Sequence, residues 1–237
     1  MSTDWNQKLR GWRKEIGHRL RKRIRLVGIR GRDPILVYQM GKVGSSTVAR
    51  TLEETDLSSP IVHLHNLNSE KVAENVASLR ANPGYLDGHV VTSAILEEKD
   101  LAWGRFPCCI VTLTREPVGR AISFAFEDWR RQLPEVKDLE ELDVDRMIRL
   151  VRRKLRSGSP HADPGRWFER EIEAVFGIDV MSVPYDFERG FVTLRRGPVE
   201  VLILRMEDLN RSLAAGLADL LDLDREEVEM VRANVCR

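Results

Sequence analysis

The chain has 237 residues, with 38 Lys and Arg against 37 Asp and Glu, five His and a formal net charge of +1. Its 42% hydrophobic and 32% charged residues exclude a collagen-like, low-complexity or wholly disordered polymer, and no apolar run approaches the roughly 18 residues of a membrane span. The length suits one large α/β domain with an appendage.

The near-neutral total hides an asymmetry. Residues 1–32 hold 11 Lys and Arg and only Asp4 and Glu15 as acids, leaving 27 bases against 35 acids in residues 33–237. Within this arm Trp5, Leu9, Trp12, Ile16, Leu20, Ile24 and Val27 recur at steps of three and four, the stripe of an amphipathic helix, and basic residues fill the rest of the wheel. Such a helix packs on the body or on a second subunit, lies on an anionic membrane through residues 1–30, or touches nucleic-acid phosphates. Nothing downstream resembles a base-reading module, so no nucleic-acid partner is expected. No secretory leader is read at the N-terminus. Cys108 and Cys109 are adjacent and Cys236 stands apart, which points to neither a disulfide framework nor a zinc site. A reducing cytoplasm is the expected location, with contact to the inner membrane face if the arm binds lipid.

After Arg32-Asp33-Pro34 the body begins. Ile35-Leu36-Val37-Tyr38 reads as a short buried strand, and a helix is predicted from Ser45 to Glu54. Pro60–His65 is a second strand, residues 68–81 a helix stopped by Asn82-Pro83-Gly84, and His89-Val90-Val91-Thr92-Ser93 a third strand. Cys109–Thr114 is a fourth, followed by a helix from Pro117 to about Arg131. A charged helix covers 138–156 and another Trp167–Phe176; residues 179–196 are irregular or hairpin-like. Val199–Leu204 is the last strand, and helices close the chain to Val235. The alternation predicts an α/β fold, a mostly parallel sheet flanked by helices, in one domain over residues 33–237.

Three segments at strand ends carry unusual chemistry, where open parallel sheets bind ligands. Gly41-Lys42-Val43-Gly44-Ser45-Ser46-Thr47 lets backbone amides and a helix N-terminus face an anion, with Lys42 as a point charge and three hydroxyls as donors. It is not a Walker A loop, which would need Gly at Leu36 and Ser or Thr at Val43. In Thr114–Phe124, Arg115 sits at a strand end, and Arg120 and Ser123 lie three apart on one helix face, suited to a second phosphate. His63 and His65 share a strand face as a general base or as metal ligands. A metal would want a third ligand, for which His89 and Glu97 are available without any supporting spacing.

Together the first two segments resemble the nucleotide-binding elements of sulfotransferases that use 3′-phosphoadenosine 5′-phosphosulfate (PAPS). Gln39–Thr47 is similar to the family's 5′-phosphosulfate loop in its Lys-Val-Gly-Ser form, and Arg115–Ser123 to its Arg-x-Pro-x-x-Arg-x-x-Ser 3′-phosphate motif. Arg205-Met206-Glu207-Asp208-Leu209 resembles the family's Arg-x-Glu-Asp-Leu turn, and His63-Leu64-His65 the His-x-His of uronic-acid 2-O-sulfotransferases. Trp167-Phe168, Val175–Val180 and Pro184-Tyr185-Asp186 are closer to a bacterial subset associated with capsular-polysaccharide synthesis. One departure is plain: no Gly-rich basic loop follows the last strand.

The resemblance implies a P-loop-like sulfotransferase that moves a sulfuryl group from PAPS to a hydroxyl of a carbohydrate acceptor, with no metal. Lys42 would neutralise the leaving oxygen, while Val43, Gly44, Ser45, Ser46 and Thr47 hold the 5′-phosphate. Arg115, Ser123 and Arg120 would hold the 3′-phosphate, and His65 or His63 would take the acceptor proton. Two alternatives remain: a non-catalytic member of the fold serving a polysaccharide assembly, or an ATP-dependent phosphotransferase, which would need a strand-end carboxylate for Mg²⁺.

Overall fold

The structure, a computed structural model, describes residues 33–81, 88–97, 102–133, 136–138, 141, 143–156 and 164–233. The basic arm, residues 1–32, lies outside the described residues.

Five strands form one sheet in the order β2-β1-β3-β5-β4. β1 (Ile35–Tyr38) is buried at every position, as a strand covered on both faces must be. It pairs in parallel with β2 (Ile61–Leu64) on one side and β3 (Cys108–Thr114) on the other. β3 pairs in parallel with β5 (Val199–Arg205), and β4 (Phe191–Arg196) closes the edge as an antiparallel hairpin with β5. Gly197, at φ +56°, makes the tight turn of that hairpin. The sheet is therefore mostly parallel with an antiparallel edge, flanked by helices.

The helices are α1 (Ser45–Glu54), α2 (Ser69–Ala81), α3 (Gly88–Glu97), α4 (Pro117–Gln132) and α5 (Val144–Arg156). Next come α6 (Pro164–Trp167), a π-helical stretch Phe168–Glu173, α7 (Ala174–Phe176) and α8 (Leu209–Leu221). None of the described helices is long and apolar enough to cross a membrane.

Three expectations need correction. Residues 89–93 are not a strand but part of α3. The apolar run continues through Ala94-Ile95-Leu96, too long for a short buried strand, and Thr92, Ser93 and Leu96 are buried at helical spacing. The hydroxyls of Thr92 and Ser93 donate back to the carbonyls of Gly88 and His89, at 2.8 and 2.9 Å, a bond available only along a helix. The charged helix starts at Val144, six residues later than its sequence pattern implies. The chain does not stay helical after α8: beyond a 3₁₀ turn at Arg225–Glu227, residues 228–233 run without helix along α1. The amides of Val231 and Ala233 donate there to Thr51 and Thr47 Oγ1, at 3.0 and 3.2 Å.

One buried carboxylate fixes the chain after β2. Glu171, on the π-helical stretch, is 2% exposed. It accepts from the amides of Leu67 and Asn68 at 2.8 and 3.0 Å, from Asn66 Nδ2 at 2.8 Å, and from the Tyr38 hydroxyl at the end of β1. Burial first, and then the neighbouring Glu171 charge, push the Tyr38 phenol well above its ordinary range, so it stays a donor. Trp167 packs edge-on against Tyr38, at 5.1 Å between ring centroids, and donates from Nε1 to the His65 carbonyl at 3.2 Å. Removing the carboxylate by Glu171→Ala strands several buried donors, so urea unfolding should show a loss of about 3 kcal/mol. A change below about 0.5 kcal/mol would contradict this role.

Candidate functional site

The connection from β1 leads to β2 on one side, and the connection from β3 leads away toward β4 and β5 on the other. Such a reversal opens a crevice beyond the carboxyl ends of the two strands. It is flanked by residues 39–44, which join β1 to α1, and residues 115–116, which join β3 to α4.

In the first segment Lys42 and Gly44 both take left-handed backbone, at φ +68° and +87°. Gly44 is the N-cap of α1 and has no side chain with which to cap it. A Cβ at Gly44 would lie 3.0 Å from Leu209 and 3.3 Å from Met206, so the close approach also requires glycine. Val43 is fully buried and Ser45 nearly so, which leaves their backbone rather than their side chains to meet a ligand. Ser46 and Thr47 are half-buried, and the Thr47 hydroxyl oxygen already accepts from Ala233. The Lys42 ammonium pairs with Glu127 on α4 at 3.0 Å.

The second segment holds the first. Arg115 donates to the Lys42 carbonyl at 3.2 Å and Arg120 to the Gly41 carbonyl at 2.9 Å. Lys42 and Arg115 therefore meet on one side of the sheet. Arg120 is 3% exposed; its burial, and then the neighbouring Arg115 charge, lower its pKa to about 10, which leaves it cationic at neutral pH. Its place is beneath the loop. Ser123, one turn further along α4, is half-buried.

Glu116 caps α4, accepting from the Val118 and Gly119 amides at 2.7 and 2.6 Å. These bonds, Gly119 foremost, hold its carboxyl below the usual carboxylate range. This helix N-terminus is thus already served by an anion, whereas the N-cap of α1 is a glycine without a side chain. Glu207 accepts from the Glu116 amide at 2.8 Å, and Arg205 lies 3.7 Å from Glu207 and 3.6 Å from Asp208. The Arg205–Leu209 turn therefore braces the β3–α4 turn.

The imidazoles form the third group. His63 and His65 do share a face, with ring centroids 5.7 Å apart. His89, at the start of α3, joins them at 4.5 Å from His63 and 4.0 Å from His65. Gln39 ties the cluster to the loop: its buried side-chain nitrogen lies 3.1 Å from His63 Nε2 and 3.2 Å from His65 Nδ1. Burial, and then the neighbouring His89 and His65, lower the His63 pKa to about 3, so it is neutral at physiological pH.

Sequence reasoning located the loop, Arg115 and the two strand histidines. It missed Gln39, Glu116, Glu127 and Glu171 as partners, and it gave no spacing to support His89. Only Glu116 had a usable signal, an acidic residue directly before Pro117 at a helix start. Neither described cysteine suits a nucleophile, because burial foremost pushes the Cys108 and Cys109 thiols up to about 12 and about 11. No family model, curated protein or solved structure matches the chain.

If Arg120 holds the loop, Arg120→Met should speed amide hydrogen exchange over residues 41–47 by about tenfold or more, leaving central β3 protected. Unchanged protection of the loop would contradict the assignment.

Proposed function

We propose that the chain is a sulfotransferase that moves a sulfuryl group from PAPS to a hydroxyl of a carbohydrate acceptor. The observation that carries this reading is the bonding of Arg115 and Arg120 to the carbonyls of Lys42 and Gly41, which gathers two cationic segments at the reversal of strand order. A nucleotide with phosphates at both its 3′ and 5′ positions needs two such segments within the span of one ribose.

In this reading the N-terminus of α1, whose N-cap Gly44 has no side chain, receives the 5′-phosphate on the amides of residues 44–46, helped by the Ser46 and Thr47 hydroxyls. Lys42 stabilises charge on the phosphate oxygen that leaves as the sulfur–oxygen bond breaks. Its present partner Glu127 is an exposed carboxylate on a surface ion pair, which a phosphate displaces at little cost. Arg115 takes the 3′-phosphate with Ser123, while Arg120 positions the loop from below. The acceptor hydroxyl gives its proton to His65, with His63 behind it, as its oxygen bonds to sulfur in line with the leaving oxygen. The acceptor class and a cytoplasmic, membrane-facing location rest on the sequence resemblance and on the basic arm.

Isothermal titration with 3′-phosphoadenosine 5′-phosphate tests the site. Arg115→Ala should weaken binding by about 100-fold and Lys42→Ala by about tenfold. Glu127→Gln, which removes the competing carboxylate, should tighten it about threefold. Equal affinity in Arg115→Ala, Lys42→Ala and the unaltered chain would overturn the reading.

A further inference from the structure

We propose that His63, His65 and His89 form a binding site for a divalent transition-metal ion of borderline softness, zinc first among them. The inference goes beyond the transferase reading and stands without it. Each histidine offers one ring nitrogen, and the three lie within 4.8 Å of one another. Tetrahedral zinc with bonds of about 2.0–2.1 Å holds its ligand nitrogens about 3.4 Å apart. Side-chain rotations that move each ring by about 1 Å or less therefore close the site around an ion.

The cluster is built from two elements with different freedom. His63 and His65 are set by β2 and by the Trp167 and Glu171 contacts that pin the chain after it. His89 stands on the first turn of α3, packed on the same edge strand. All three are half-buried, so an ion enters from solvent while the rings keep fixed surroundings. The ligand set is imidazole alone, which suits zinc, copper, nickel or cobalt and not magnesium or calcium.

The surroundings supply the second layer of bonds that metal-binding imidazoles use. Nδ1 of His65 lies 2.9 Å from the Gln39 backbone carbonyl, and Nδ1 of His89 lies 3.2 Å from the His63 carbonyl. An Nδ1–H donating to a backbone carbonyl leaves the Nε2 lone pair for a metal. Gln39 adds an independent sign. Its side chain is fully buried, and its Oε1 has no hydrogen-bond partner among the described residues, while the nitrogen of the same amide touches His63 and His65. Imidazoles bound to a cation donate more strongly through their remaining N–H, and that oxygen is an acceptor the amide can turn toward them. Three protein ligands leave a fourth position for water or for an acceptor oxygen. With the ion in place His65 would serve as a ligand, and a water held at the fourth position, having lost a proton to solvent, would take the acceptor proton in its stead.

The test uses the full chain stripped with a chelator and titrated with zinc chloride in the absence of nucleotide. The expected result is saturable binding of about one equivalent, a rise in thermal midpoint on zinc addition, and, when cobalt(II) is used instead, the absorption spectrum of a tetrahedral site with three nitrogen ligands and one oxygen. His89→Gln and His65→Gln should each weaken zinc binding by about 100-fold or more and abolish the zinc-induced rise. His89→Gln should still bind 3′-phosphoadenosine 5′-phosphate, and Arg115→Ala should still bind zinc, so failure of one site is told from failure of the other. The absence of saturable uptake by the unaltered chain, or uptake that persists undiminished in His89→Gln, overturns the proposal.

Discussion

Two guanidinium groups bonded to two neighbouring carbonyls set the geometry of this molecule. Arg115 and Arg120 reach from the β3–α4 segment to the carbonyls of Lys42 and Gly41, and so tie the two connections that diverge at the centre of the sheet. The bond has a cost. Lys42 sits in left-handed backbone that a residue with a Cβ adopts only against about 1–2 kcal/mol, and Arg120 is a buried cation. Charge-assisted hydrogen bonds to carbonyl oxygens offset both. The result is a loop whose backbone is held at two neighbouring carbonyls.

A second anchor of opposite sign works at the neighbouring strand. The Glu171 carboxylate gathers the Tyr38 hydroxyl and the amides after β2, and Trp167 holds the His65 carbonyl. Gln39 joins the two anchors, since it follows β1, opens the segment that leads to α1 and contacts two imidazoles. The loop and the imidazole cluster are therefore tied together at one end of the sheet. Under the proposed transferase reading, such fixed placement is what aligns two bound molecules before reaction.

The central strands were legible because buried parallel strands read as short unbroken apolar runs, as Ile35–Tyr38 and Cys108–Thr114 do. The loop was legible because glycines and hydroxyls sit between such a strand and a helix. His89 was not, because β-branched Val90 and Val91 imitate a strand, and only the register of Thr92, Ser93 and Leu96 shows the helix. Glu171 was hidden among Glu169 and Glu173, as acidic as itself. The π-helical geometry that selects it for burial is a tertiary outcome with no local signature. The β4–β5 hairpin was half legible, since residues 179–196 read as irregular or hairpin-like without fixing which strand would lie on the edge.

The proposed reading has Lys42 and Arg115 meet opposite ends of one doubly phosphorylated nucleotide. A crystal structure with 3′-phosphoadenosine 5′-phosphate tests this. The 5′-phosphate is expected on the amides that open α1, beside Lys42, and the 3′-phosphate on the Arg115 guanidinium. A nucleotide bound elsewhere, or one whose two phosphates leave either of these groups untouched, would contradict it.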